Sequence, residues 1–229
     1  MSIRLVMGGT FDPIHHGHLE LADAVRRAVG VGTLWLMPTA VPPHKPTGSI
    51  TSAEHRIAMV WAAMADYPAL AVSTVETGSS ISYTLDTLRQ LEQARPMSRP
   101  VFVLGMDSVV QLPGWDRWQE LVAEFDLIAL ARPDLTEDEV AINSRLHPEI
   151  AHRLQPTIAE EGAKGWIREQ QLGRGGRIFA LSLPPIPVSS REIRRRVSEG
   201  EPIDDLVPTG VSRYIRDHRL YSERQGAES

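Results

Sequence analysis

Short apolar runs, most of them stopped by glycine or proline, alternate with stretches whose apolar residues recur at helical spacing. Ile3 to Met7 runs into Gly8-Gly9, Leu34 to Met37 is closed by Pro38, and Pro100 to Gly105 holds Val101-Phe102-Val103-Leu104. Leu70 to Val75 alternates like a strand, and Leu127 to Ala131 and Arg177 to Leu183 are further short runs. Between them stand Leu21, Ala24, Val25 and Ala28, then Ile57, Val60, Trp61 and Met64, then Leu85, Leu88 and Leu91. Such short runs suit strands buried on both faces, and the three-to-four spacing suits amphipathic helices. Helices are expected over Leu19 to Val29, Ala53 to Asp66, Tyr83 to Ala94 and Trp115 to Phe125, with Trp61 and Met64 in the core. The alternation predicts an α/β chain: a doubly wound parallel sheet with helices on both faces.

In such Rossmann-like sheets, ligands sit outside the carboxyl ends of the strands, where Gly8 and Gly105 fall. Leu135 to Gly176 breaks the pattern, with Glu137-Asp138-Glu139, Glu160-Glu161 and a closing Gly173-Arg174-Gly175-Gly176. It reads as a helical excursion followed by a flexible loop. No repeat or linker divides the 229 residues, so one domain over 1–229 with an excursion at 135–176 and a small C-terminal helical region is expected.

Cysteine is absent, which excludes disulfide scaffolds, thiolate nucleophiles and cysteine-ligated metals. The longest apolar run, Ile57 to Ala65, is nine residues, short of the about 20 that span a bilayer. No secretory signal is recognisable at the N-terminus, and a cytoplasmic location without membrane partners is expected. A formal charge of −5 speaks against coating nucleic acid through net charge.

Two segments carry candidate chemistry. In Gly8-Gly9-Thr10-Phe11-Asp12-Pro13-Ile14-His15-His16-Gly17-His18, a strand ends in glycines that let backbone approach a ligand, and a helix begins near the histidines. His15 and His18 share a helix face close to its free N–H groups, an arrangement suited to phosphate. The stretch is neither a Walker A loop nor a GxGxxG fingerprint. A zinc pair would need further ligands that the spacing does not supply. In Val188-Ser189-Ser190-Arg191-Glu192-Ile193-Arg194-Arg195-Arg196, Ser189 and Glu192 have capping-box spacing, so a second helix starts there. Its arginines suit phosphate oxygens; the alternative is a capped surface helix with a solvated charge run.

The first segment, with its HxGH ending, resembles the signature of the nucleotidyltransferase superfamily, and Val188 to Arg194 resembles that superfamily's second signature, usually written ISSTxxR. Pro42-Pro43-His44-Lys45, Ser82-Tyr83-Thr84 with Asp86-Thr87, Leu112-Pro113-Gly114-Trp115, Arg132-Pro133 and the tail from Leu206-Val207-Pro208 to Leu220-Tyr221 resemble bacterial nicotinate-nucleotide adenylyltransferases. Position 191 is Arg where the signature has Thr or Ser, Asp134 stands where glycine is usual, and the excursion is longer than the family's common form.

The resemblance implies transfer of AMP from ATP to nicotinate mononucleotide, giving deamido-NAD and pyrophosphate, with Mg2+ carried in by ATP and no metal held by the protein. It implies catalytic roles for His15, His18, Lys45 and Arg194. It places ATP against Gly8, Gly9, Thr10, Phe11, His15, His18, Gly105, Asp107, Ser189, Ser190 and Arg194. It places nicotinate mononucleotide against Lys45, Tyr83, Thr84, Trp115, Asp116 and Arg132. Nicotinate and nicotinamide mononucleotide are not separated by the sequence, because backbone donors leave no mark in it. The excursion is left open between packing on the core, supporting a homo-oligomer and covering the ATP site. Pantetheine-phosphate adenylyltransferase shares both phosphate signatures but lacks the Ser82-Tyr83-Thr84 and Leu112 to Trp115 segments. A regulator that holds ATP without turnover is the reading from a different class.

Overall fold

The computed structural model describes residues 2–39, 50–73, 83–131, 145–159, 172, 175–184 and 186–222. Among these, seven strands form one parallel sheet: β1 (Ser2–Gly9), β2 (Leu34–Pro38), β3 (Leu70–Val72), β4 (Ser98–Gly105), β5 (Leu127–Ala131), β6 (Leu154–Ala159) and β7 (Ile178–Ser182). Their order is β3-β2-β1-β4-β5-β7-β6. The chain winds outward from β1 in one direction and then, from β4, in the other. The crevice at that reversal, between the carboxyl ends of β1 and β4, is where ligands of doubly wound sheets sit.

Alternation along the strands explains why both faces are covered. On β1, Leu5 and Met7 point into one core and Val6 into the other. The Leu5 face is closed by α1 (His16–Val29), α2 (Ala53–Ala63), α7 (Ser190–Ser198) and α8 (Thr209–Asp217), through Leu19, Val25, Met59, Val60, Ile193 and Ile215. The Val6 face is closed by α3 (Thr84–Ala94), α4 (Met106–Gln111), α5 (Trp118–Glu124) and α6 (Pro148–Arg153), through Leu85, Leu88, Val109, Leu121 and Ile150. The predicted doubly wound sheet and the C-terminal helical region are both present. No helix among the described residues is long and apolar enough to cross a membrane.

Three local expectations need correction. Trp61 is on α2, but its side chain is 54% exposed, whereas Met64 is half-buried against the core. A three-to-four spacing marks one stripe, and Trp61 falls outside the Met59, Val60 and Ala63 positions that face the sheet. The helix expected from Trp115 starts only at Trp118, because Leu112–Gly114 forms a 3-10 turn and Arg117 takes a left-handed φ of 46°. The excursion, where described, is not helix and loop alone. It contributes β6, the edge strand paired parallel to β7 with a register shift between Gln155 and Ile158. Its sequence hides it: Pro156 interrupts the run, and proline is tolerated in a sheet only at edges and bulges.

The amino ends of β5 and β7 are tied together by one buried carboxylate. Asp126 is fully buried, accepts from the Arg177 backbone N–H at 3.1 Å and pairs with its guanidinium at 3.2 Å. Removing one partner of a buried pair strands the other, at about 3 kcal/mol. Asp126→Ala is therefore expected to lower unfolding stability in urea by about that amount. Because Asp126 lies at the opposite strand ends from the crevice, ligand affinity measured on the folded variant should not change.

Candidate active site

The crevice at the carboxyl strand ends is a cleft of about 840 Å³. It brings His15 and His18 together with Gly105, Asp107, Ser189 and Ser190, from segments up to 175 residues apart in sequence. Met7, Leu130 and Leu183 form part of its apolar lining.

His15 is the N-cap of α1. Its Nδ1 accepts a hydrogen bond from the His18 N–H at 3.3 Å. A nitrogen that accepts carries no proton, so the ring proton of His15 is on Nε2. The His15 and His18 rings stack with centroids 3.7 Å apart, and Phe11 meets His18 edge-on at 5.1 Å. Nδ1 of His18 is buried without a hydrogen-bond partner among the described residues, so Nε2 is the nitrogen able to meet a ligand in the cleft.

Both rings are held neutral. Burial, then the neighbouring His18 and His16, pushes His15 down to about 2. Burial pushes His18 down to about 4. Two cations could not stack at this distance without water between them.

The glycines serve these rings. A Cβ on Gly9 would stand 2.7 Å from the Phe11 ring, and one on Gly8 would stand 2.7 Å from Phe102. At the end of β1 the positions that side chains would take are occupied by the protein's own aromatics. A Cβ on Gly17 would meet the His15 ring at 3.0 Å and the Val188 carbonyl at 3.3 Å. Gly17 thus lets the start of α1 approach the segment leading into α7.

That second helix starts as its capping box predicts, with Ser189 Oγ accepting from the Glu192 N–H at 3.2 Å. Its arginine run divides. Arg195 pairs with Glu192, Glu199 and Glu201, and Arg196 pairs with Glu192 and Asp205, the solvated surface network of the alternative reading. These two guanidinium groups hold the Glu192 carboxyl down to about 2. Arg194 instead turns inward and donates to the Asp12 carbonyl at 2.5 Å, and Ser190 Oγ donates to the Pro13 carbonyl at 2.9 Å. Sequence reasoning gave Asp12 no role, although an aspartate between Phe11 and Pro13 of an apolar loop has to find partners when buried.

At the end of β4, the Asp107 carboxylate folds over Gly105 so closely that a Cβ there would lie 2.3 Å from its Oδ1. The residues expected at the second substrate lie elsewhere. Tyr83 is the N-cap of α3, and Trp115 meets Phe102 at 6.4 Å on the Val6 face of the sheet. Asp116 and Asp86 are both bound by Arg117, which ties the Trp115–Arg117 turn to the start of α3. Tyr83, Thr84, Trp115 and Asp116 do not line the histidine cleft. Lys45 and Arg132 lie outside the described residues. Among the described residues no group of three or more carboxylates and histidines is arranged to hold a metal.

Two helix starts facing one cleft, with neutral imidazoles at one of them, form an arrangement suited to a phosphate-bearing ligand. Comparison narrows the class. The model of the cytidylyltransferase-like family matches residues 6–196. A protein of Symbiobacterium thermophilum named "Probable nicotinate-nucleotide adenylyltransferase" is 38% identical over 217 residues, covering 94% of this chain and 93% of that protein. One of the same name from Serratia proteamaculans is 36% identical over 222 residues, covering 96% and 95%. Among solved structures, nicotinic acid mononucleotide adenylyltransferase of Plasmodium falciparum complexed with NaAD superposes with a TM-score of 0.70 at 20% identity, covering 96% of this chain and 98% of that one. The chain belongs to the cytidylyltransferase-like family and, within it, to the nicotinate-nucleotide adenylyltransferases.

The depressed histidines set a pH dependence. The unfolded chain protonates both near 6.5, whereas the folded chain keeps them neutral well below that. The unfolded state therefore binds more protons on acidification, and stability falls as pH drops below about 6.5. Each histidine contributes about 2 kcal/mol of this loss between pH 7 and pH 5. In urea unfolding at pH 7 and pH 5, His18→Gln should shrink the difference between the two pH values by about that amount. An unchanged difference would mean that His18 is not held neutral.

Proposed function

We propose that the chain transfers AMP from ATP to nicotinate mononucleotide, releasing pyrophosphate and forming deamido-NAD, and that residues 1–229 act as one catalytic domain. The observation that carries this reading is the neutral, stacked pair His15 and His18 at the start of α1, facing the start of α7 across one cleft. The named relatives support the choice of substrates.

The chemistry needs little from side chains. The attacking atom is a phosphate oxygen of nicotinate mononucleotide, already ionised at neutral pH. A bond forms from that oxygen to the α-phosphorus of ATP. The bond from the α-phosphorus to the bridging oxygen breaks, and pyrophosphate leaves with the electron pair. No covalent intermediate with the protein is required. Magnesium enters with ATP as part of the substrate and neutralises the leaving phosphates.

The protein's share is position and charge. The ring N–H groups of His15 and His18 meet the ATP phosphates, with His18 nearest the α-phosphate, where charge builds. Donors aimed at developing charge in a water-poor site are the largest single contribution to many such reactions. The free N–H groups at the start of α7 take the outer phosphates with Ser189, whose hydroxyl proton remains available because the cap uses only its lone pair. Ser190 gives its proton to Pro13, so its contribution is the backbone N–H. Arg194 holds the loop and lends charge to the same phosphates. Gly105 and Asp107 meet the ribose, where a carboxylate can accept from both hydroxyls. Nicotinate mononucleotide approaches from the Trp115 side, with the start of α3 and the turn at Asp116 offering backbone donors to its carboxylate. Lys45 and Arg132 complete the phosphate contacts in this reading.

The test is pyrophosphate release with magnesium-ATP and, separately, nicotinate mononucleotide, nicotinamide mononucleotide and phosphopantetheine. Release with nicotinate mononucleotide and isolation of deamido-NAD is the expected result. Release only with phosphopantetheine, or none with protein shown to bind ATP, would overturn it. His18→Ala should lower kcat by about 10²–10³ while far-ultraviolet dichroism stays unchanged.

A further inference from the structure

The loop that carries the first histidine is held from outside, in part by side chains that the mechanism does not use. Between β1 and α1, the carbonyls of Thr10, Asp12 and Pro13 accept from Arg56, Arg194 and Ser190 respectively. The Asp12 carboxylate is buried and is itself caught between two distant elements. Its Oδ1 accepts from the Tyr221 hydroxyl at 2.7 Å, and its Oδ2 accepts from the Thr51 N–H at 3.4 Å. Arg56, from α2, is 1% exposed and also donates Nε to the Thr51 carbonyl at 2.9 Å. Tyr221 lies 209 residues from Asp12 in sequence.

The turn that carries Tyr221 follows the C-cap of α8 and holds two residues in the left-handed region. Arg219 and Tyr221 both have left-handed φ, of 52° and 64°. Side chains with a Cβ persist there only where their surroundings over-determine them, and such strain gathers at functional sites. The buried Leu220 between them locks the turn into the Leu5-face core. Burial, together with the Asp12 carboxylate beside it, holds the Tyr221 hydroxyl protonated well above its ordinary range, so it stays a donor.

We infer that Tyr221 and Arg56 are positioning residues for the phosphate site: Tyr221 through the Asp12 carboxylate, and Arg56 through the Thr10 and Thr51 carbonyls, fix the Thr10–Pro13 loop and with it the ring geometry of His15 and His18. For its kinetic arm this inference rests on the adenylyl-transfer reading. The ring geometry can be tested without it. Neither residue lines the cleft, and both act at one remove.

Tyr221→Phe removes one hydroxyl and keeps the ring. Its kcat for pyrophosphate release should fall about tenfold, with KM for ATP changed less than about twofold. The ring nitrogen resonances of His15 and His18 should shift in a ¹⁵N-labelled sample, while the melting temperature stays close to that of the parent. Asp12→Asn should do the same. The double variant should lose no more than the worse single one, because both act through one contact. Arg56→Lys, read in the same way, carries the test if Tyr221→Phe does not fold. Unmoved histidine resonances in the folded variants overturn the inference, as does a double variant whose losses multiply. If the parent releases no pyrophosphate, the adenylyl-transfer reading falls, and the histidine resonances alone decide the positioning role: shifted supports it, unmoved overturns it.

Discussion

A histidine that caps its own helix through a ring nitrogen has to remain neutral, since the cap is a lone pair and protonation removes it. His15 is in that position, and much of the site follows from it. Its accepting Nδ1 forces the proton onto Nε2. Its ring is pressed against that of His18, which excludes charge from both. Gly17 has no side chain because that ring occupies the space, and Gly9 has none because Phe11, which braces His18, occupies its own. The conformation of one cap therefore dictates the residue types around it and the direction in which a proton can be offered.

Two helix starts converge on the cleft, but they offer different things. At α1 the donors are imidazoles without charge. At α7 they are backbone N–H groups, with a guanidinium behind them. Arg195 and Arg196 neutralise carboxylates on the surface, where exposed pairs contribute little to stability. Their work is to keep the outer face of the helix soluble and to leave Arg194 as the cation of that run that turns toward the loop. A run of four similar residues is thus sorted by which face of a nine-residue helix each one occupies.

The doubly wound parallel sheet was legible because a strand buried on both faces has to be apolar, and the runs at Ile3, Leu34, Val101 and Leu127 have no other use. The helix starts at His15 and Ser189 were legible because caps are local chemistry. What could not be read depends on contacts between distant segments. β6 is held by pairing with β7 rather than by its own hydrophobicity, and its proline disguised it. Trp61 looked like core because periodicity counts apolar residues without knowing which face meets the sheet. Asp12, Arg56 and Tyr221 were unremarked because a buried charge is visible only once the groups around it are in place. At Gly8 and Gly9 the sequence shows the missing side chains but not their neighbours: the rings of Phe102 and Phe11 stand where a Cβ would lie.

Neutrality also explains how such a site can exist before its ligand arrives. Burying a cation without a partner costs several kcal/mol, whereas burying an imidazole whose nitrogens are partly satisfied costs far less. A cleft lined with buried lysines would need an anion in order to fold. One lined with neutral histidines can be assembled by packing alone and still keep a ring N–H to offer to an anion. The protein contributes a rigid arrangement, held from beneath by the sheet and from the side by the contacts to Thr10, Asp12 and Pro13. The stability of the loop and the geometry of the chemistry are for that reason one property, and the carboxylate of Asp12 belongs to both.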